Sequence, residues 1–177
     1  MAMADVFTVK FEGIEEFSQM LDQIKDDFSE KDSKKILNNA VKLAMKPVLE
    51  KAQNLVPVDT GGLRASLRIE ARKPTGKDKR SIYVNPTDVV IGTVTTAPGS
   101  VLKKKKFLNQ KTGKKEVGIA SDARAVANEF GTAKMAGKPF MRPAMETTTQ
   151  PVLNSLADSL RIALDKYQAK QAKKGIK

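Results

Sequence analysis

Val56-Pro57-Val58-Asp59-Thr60-Gly61-Gly62-Leu63-Arg64-Ala65-Ser66-Leu67 is the stretch that decides the fold. Pro57 removes a backbone donor and fixes one torsion, so no helix runs through it. Gly61 and Gly62 permit backbone angles closed to other residues. Asp59 or Thr60 can cap the turn between them, and Leu63 and Leu67 anchor the segment that follows. The chain enters this corner as helix and leaves it, sharply turned, as strand.

Upstream, Ile36, Leu37, Ala40, Leu43, Ala44, Val48, Ala52 and Leu55 recur at helical spacing, with Asp32 or Ser33 placed to cap the start. Pro47 lies inside this pattern and predicts a kink or a division, serving as a hinge or as a bend that wraps the helix over a sheet. Further upstream, Val6 to Phe11 reads as a short strand that Gly13 ends. Ile14, Phe17, Met20, Leu21, Ile24 and Phe28 then follow with helical periodicity, and Glu15 and Glu16 complement the dipole of its first turn.

Downstream, Leu67 to Ala71, Ser81 to Val84 and Val89 to Thr96 read as strands, joined by turns at Pro74-Thr75-Gly76 and Asn85-Pro86-Thr87-Asp88. A Lys-rich arm, loop or hairpin, spans 97–118. Ala123 to Phe130 reads as a short helix capped by Asp122 and stopped by Gly131. A last long helix starts near Pro143, with Val152, Leu156, Leu160, Ala163 and Tyr167 as its apolar stripe and Pro151 bending or restarting it. From Lys166 the chain is basic and polar and is expected to fray unless a partner holds it. This order predicts an α+β fold in which an antiparallel sheet packs with N-terminal helices and a long C-terminal helix. One domain over 1–165 carries the arm, and 166–177 form a basic tail.

Composition narrows the chemistry. The 177 residues include no Cys and no His. That removes thiolate nucleophiles, Ser-His-Asp and Cys-His catalysis and the usual zinc sites. Carboxylate and Ser-Lys chemistry remain. No segment reaches the ~20 apolar residues of a membrane span, and Met1 to Asp5 lacks the features of a signal peptide. The net charge of +12 is polarised: residues 1–60 hold 8 Lys and Arg against 11 Asp and Glu, the remainder 24 against 9. Such polarity serves nucleic-acid binding, or the meeting of one subunit's acidic end with the next subunit's basic face.

Three stretches imitate catalytic or phosphate-binding chemistry. Asp59-Thr60-Gly61 copies the centre of an aspartic-protease loop, but it follows a helix and Pro57 rather than a strand. Gly131 to Lys138 suggests a phosphate loop, yet five residues separate its glycines where four are needed, and Pro139 replaces the magnesium-binding hydroxyl. Lys103, Lys104, Lys105, Lys106, Lys111, Lys114 and Lys115 can grip phosphates. Phe107 is the only aromatic among them, which disfavours base stacking, so an assembly arm turning at Asn109 to Gly113 is the competing reading.

The first stretch is followed, about 60 residues later, by a second: Ala125-Val126-Ala127-Asn128-Glu129-Phe130-Gly131-Thr132, then Lys138-Pro139-Phe140-Met141-Arg142-Pro143-Ala144. Together they resemble the HK97 gp10-like family of phage neck and tail proteins. That family shows a P-x-D-T-G-x-L-R-x-S block, here Pro57, Asp59, Thr60, Gly61, Leu63, Arg64 and Ser66, with Gly62 in the open position after Gly61. It later shows E-[FY]-G-T and P-F-[LM]-R-P-A blocks, here Glu129 to Thr132 and Pro139 to Ala144. The aromatic that often precedes the family's Glu is missing, and the Lys-rich segment looks like an insertion.

The resemblance implies a structural virion protein without catalytic residues or cofactors, assembled in the host cytoplasm. It implies a neck or tail-completion component at the head–tail junction, or alternatively a tail terminator capping the tail tube. Its partners would be copies of itself in a hexamer-type ring and the neighbouring neck, head-closure and tail-tube proteins. The basic two-thirds keeps open a DNA-binding accessory role. Isolated opposite charges in the two motifs further predict that Glu129 pairs with Arg64 or Arg142 and so joins the blocks.

Overall fold

Pro47 has no N–H to offer the Leu43 carbonyl, and the helix divides there. In the computed structural model, which describes residues 19, 22, 30–81, 84–85, 89–97, 106–117 and 122–175, α1 spans Glu30–Ala44 and α2 spans Lys46–Leu55. The break is one residue wide. The Met45 N–H donates to Val41 O at 3.0 Å and the Leu49 N–H to Met45 O at 3.1 Å, so the ladder passes through. Buried Ala40, Ala44, Val48, Ala52 and Val56 therefore keep a single four-residue rhythm across both helices.

That stripe packs on a final helix, α5, which spans Met141–Gly175. α1 meets its distal half, where Ala40 clusters with Leu160, Leu164 and Leu156. α2 meets its beginning, where Met45, Val48, Ala52 and Val56 cluster with Phe140 and Ala144. α5 thus runs antiparallel to the α1–α2 pair. Small alanines on one side let the larger Phe140 and Leu160, both fully buried, fill the seam.

After α2 comes the one-turn helix α3, Gly62–Ser66, and then β1, Leu67–Arg72. β1 pairs antiparallel with β2, Ile91–Thr96, in the register Leu67 to Thr96 through Arg72 to Ile91. Leu67, Ile69 and Val94 face the core cluster. Gly92 shares that face where α1 passes closest: a Cβ on it would lie 2.5 Å from a Val41 methyl. The opposite face carries Arg68, Glu70 and Arg72 in a line, with Glu70 reaching Arg68 at 3.7 Å and Arg72 at 3.9 Å. Beyond β1, a 3-10 turn at Asp78–Arg80 is stapled back by Asp78, which accepts from the Thr75 N–H at 2.6 Å and the Arg72 guanidinium at 2.6 Å. The Arg72 guanidinium and the Thr75 hydroxyl and amide hold the Asp78 carboxyl far below the usual carboxylate range.

A second antiparallel pair, β3 (Lys106–Leu108) and β4 (Lys115–Val117), forms the hairpin of the Lys-rich arm. Its turn is built as the sequence implied. The Asn109 side chain accepts from the Lys111 N–H at 2.8 Å, and Gly113 takes φ 67°. Then α4, Asp122–Phe130, leads through an extended segment to α5.

The α+β architecture and the long C-terminal helix agree with expectation, and among the described residues the strands form two separate two-stranded pairs. At the expected strand Ser81 to Val84, the Val84 N–H donates to Ser81 O at 3.3 Å, a turn spacing, and neither of these two residues is in a strand. α5 begins two residues before Pro143, close to the expected start, and its helical backbone runs on past Lys166 to Gly175. Pro151 lies inside it without ending it, because α5 is anchored on both sides of that residue, by Ala144 in the first cluster and by Leu156, Leu160 and Leu164 in the second. The expected strand at Val6 to Phe11 lies outside the described residues. So does the helix at Ile14 to Phe28, apart from Gln19 and Asp22, which are helical.

Candidate functional site

The two motif blocks form two corners of the fold. In the first, α2 ends at Val56, whose extended backbone (φ −60°, ψ 131°) leads into Pro57. Gly61 takes φ 87°, the left-handed region, and starts α3. The Thr60 hydroxyl accepts weakly from the Gly62 N–H at 3.4 Å. Ser66, fully buried, donates its hydroxyl to Leu63 O at 2.6 Å, while its own carbonyl accepts from Ala97 N–H at 2.8 Å beside the sheet. Leu63 and Leu67 enter the main core cluster with Phe140 and Ala144, so the two blocks meet through apolar packing.

The missing side chains of Gly61 and Gly62 have a second use. The Phe107 ring of the hairpin lies over them, 3.5 Å from where a Gly62 Cβ would stand, and Leu108 O is 3.4 Å from the corresponding position at Gly61. The Gln110 N–H donates to Thr60 O at 3.2 Å, and Lys111 pairs with Asp59. The hairpin tip is therefore seated on the first corner. Among the described residues, Asp59 is the only carboxylate lining the cleft of about 250 Å³ between this corner and α4, where Pro57, Val58 and Leu63 face Arg124 and Asn128. A protease pair would need a second one.

The second corner is organised by Glu129. α4 stops at Gly131, φ 79°, and the chain crosses over itself: the Lys138 N–H donates to Asn128 O at 2.6 Å. A Cβ on Gly131 would lie 2.7 Å from Gly137 N, and one on Gly137 would lie 2.9 Å from Gly131 N. The two glycines that imitate a phosphate loop are a backbone-to-backbone contact instead.

This crossing brings Glu129, 6% exposed, under the start of α5. Its carboxylate accepts from the backbone N–H groups of Phe140 (2.8 Å), Met141 (2.9 Å) and Arg142 (3.2 Å), and from Arg142 Nε at 3.3 Å. Every orphan donor of the helix start is thereby accounted for. Pro143 has no N–H, and the Ala144 N–H already reaches Phe140 O at 3.3 Å. Burial pushes the Glu129 carboxyl up, but the Met141, Phe140 and Arg142 amides and the Arg142 guanidinium outweigh it and leave it below its ordinary value.

Glu129 thus pairs with Arg142, as the charges suggested, but both belong to the second block. The pairing closes that corner rather than joining the two, and Arg64 instead lines a shallow pocket with Gln53 and Phe107 beneath the hairpin. Arg142 lies 5.4 Å over the Phe130 ring, which is 70% exposed. Thr132 closes a tight turn with Met135, its N–H donating to Met135 O at 2.8 Å, and Pro139 stands exposed ahead of buried Phe140. Of the lysines, Lys106, Lys111, Lys114 and Lys115 are exposed, and Lys103, Lys104 and Lys105 lie outside the described residues.

The capping role of Glu129 had one sequence signal. A helix starting after Phe140 has no Ser, Thr, Asp or Asn at its cap, so the acceptor had to come from elsewhere. The seating of Phe107 and Gln110 on the first corner had none.

A family model described as "Bacteriophage HK97-gp10, putative tail-component" matches residues 18–131, well over half of the chain. No curated protein and no solved structure matches. The matched span takes in the first corner, the hairpin and α4 through Gly131, and begins nearer the N-terminus than the two motif blocks. Lys138 to Ala144 and α5 lie beyond it. The chain belongs to the HK97 gp10-like family of bacteriophage tail components.

Proposed function

We propose that this chain is a neck or tail-completion subunit at the head–tail junction, a single α+β domain that acts in a ring of identical copies through protein contacts and not through catalysis. The observation that carries this reading is the use of Glu129. The one buried carboxylate of the two motifs has its oxygens committed to three backbone amides and Arg142. It therefore shapes a rigid corner and is not held ready for proton transfer. Asp59, the protease-like residue, is likewise engaged, by Lys111. The DNA-binding reading draws on exposed Lys106, Lys114 and Lys115. Against it, the arm's only aromatic, Phe107, is half-buried against Gly61 and Gly62, which disfavours base stacking.

Neither core cluster contains a residue of the hairpin. Deleting Lys103 to Lys115 is therefore expected to leave a chain that melts cooperatively as a single copy while its incorporation into phage particles falls by more than about tenfold, a loss of ~1.4 kcal/mol or more in association. Particle yield and calorimetry on the same variant test this. Loss of the cooperative melt would make the arm part of the core, and undiminished incorporation would remove it from assembly.

A further inference from the structure

The β3–β4 hairpin has two unlike faces. Lys106 stands opposite Val117 and Leu108 opposite Lys115, so these four side chains share one face, while Phe107 and Glu116 share the other. The inner face is occupied. Phe107 covers Gly62, and Glu116 accepts from Asn109 Nδ2 at 2.9 Å and from the Thr112 hydroxyl at 3.2 Å. On the outer face Leu108 is 59% and Val117 53% exposed, between exposed Lys106 and Lys115. Two aliphatic side chains alternating with two ammonium groups suit a partner that is acidic with apolar margins.

The chain itself carries such a segment. Residues 12–30 hold seven carboxylates against Lys25 alone, a net charge of −6, interleaved with Ile14, Phe17, Leu21 and Ile24. Residues 103–117 hold seven lysines against Glu116 alone, a net of +6. Glu15, Gln19, Asp22, Asp26 and Glu30 follow one another at steps of four, three, four and four, a spacing in the sequence that a helix would gather into one stripe. Gln19 and Asp22, its two described interior members, are helical and exposed.

We propose that the outer face of the hairpin docks on the acidic stripe at 12–30 of a second copy of this chain. The two patches differ, so each copy offers one and accepts the other. Such a contact closes a ring when the rotation between copies allows. The proposal rests on the self-assembling ring reading above and specifies the joint. Because exposed charges drive it, it weakens as the screening length falls from ~8 Å at physiological salt to ~3 Å at 1 M.

Native mass measurement on the full chain tests it, using the wild type, the double variant K106E/K115E, the double variant E15K/D22K, and an equal mixture of the two variants. The wild type is expected to assemble at low salt and to dissociate toward the single-copy mass near 1 M. Each variant alone stays single, and the mixture assembles, because each reversed patch then finds its complement. The salt titration of the wild type stands as evidence even if a variant folds poorly. Assembly of either variant alone, a mixture that stays single, or a salt-insensitive wild type overturns this joint and leaves the ring reading intact. A wild type that neither self-associates nor binds tail tubes overturns both.

Discussion

Glu129→Ala is expected to destabilise the chain by about 4 kcal/mol, since it leaves three backbone amides without their acceptor at ~1–3 kcal/mol for each one buried, which at this length lowers the melting temperature by roughly 8–16 °C. The effect is large because one side chain serves an entire helix start. Its removal strands the Phe140, Met141 and Arg142 amides in a corner where Pro139 and Pro143 restrict rearrangement, and it releases Arg142 from its guanidinium contact. Glu129→Gln keeps one acceptor oxygen but turns the other position into a donor facing an N–H, and is expected to cost about half as much, near the ~2 kcal/mol of a lost charge-assisted bond.

The same carboxylate gives a pH signature. Its folded-state value is depressed below 4.5, so its contribution is fully present above that pH and is lost as pH falls through the depressed value. The gap in melting temperature between wild type and Glu129→Gln should hold constant from pH 7 to about 5 and narrow below 4.5. Asp78, also held far below the usual range, acts in the same direction but equally in both chains, so the difference isolates Glu129. A gap that widens in acid would show that the fold raises the Glu129 carboxyl instead of depressing it.

The second large effect is expected at Gly131→Ala, about 3 kcal/mol of lost stability, of which roughly 1–2 kcal/mol is the left-handed backbone penalty. The rest is steric. The new methyl would stand 2.7 Å from Gly137 N and 2.9 Å from Met135 O, both backbone atoms that cannot swing aside. Gly113→Ala is the control. Its φ of 67° is similar, but no atom lies within 4 Å of the added Cβ, so it carries only the torsional cost. Thermal unfolding of both variants separates the two contributions, and equal losses would mean that the crossing of 131 over 137 is not tight.

These two corners also show what the sequence discloses and what it withholds. Punctuation was legible. Pro47 divides the first helix pair, Pro57 with Gly61 turns the chain from helix to strand, Gly131 stops α4, and Asn109 to Gly113 turns the hairpin. Each rests on a torsion or a missing donor, which are properties of one or two residues. The strands at Leu67 and Ile91 were likewise legible from local composition, within two residues of their bounds.

What was not legible depends on residues far apart in the chain. Glu129 was matched with a cation, whereas most of its partners are backbone amides eleven to thirteen residues on, and an amide carries no sequence signature. Gly61 and Gly62 were read as torsional devices, yet their absent Cβ atoms also make room for Phe107, which is more than 40 residues away. The long helix was expected to bend or restart at Pro151. Local propensity argued for that, and packing against α1 and α2 on both sides of the proline keeps the helix from ending there.

The mass of the purified full chain, measured alone and after mixing with isolated phage tail tubes, addresses the structural role most directly. A discrete multiple of the single-chain mass, seated at one end of the tube, is the predicted result. A protein that remains single and leaves the tubes bare, yet binds DNA tightly near physiological salt, would contradict it.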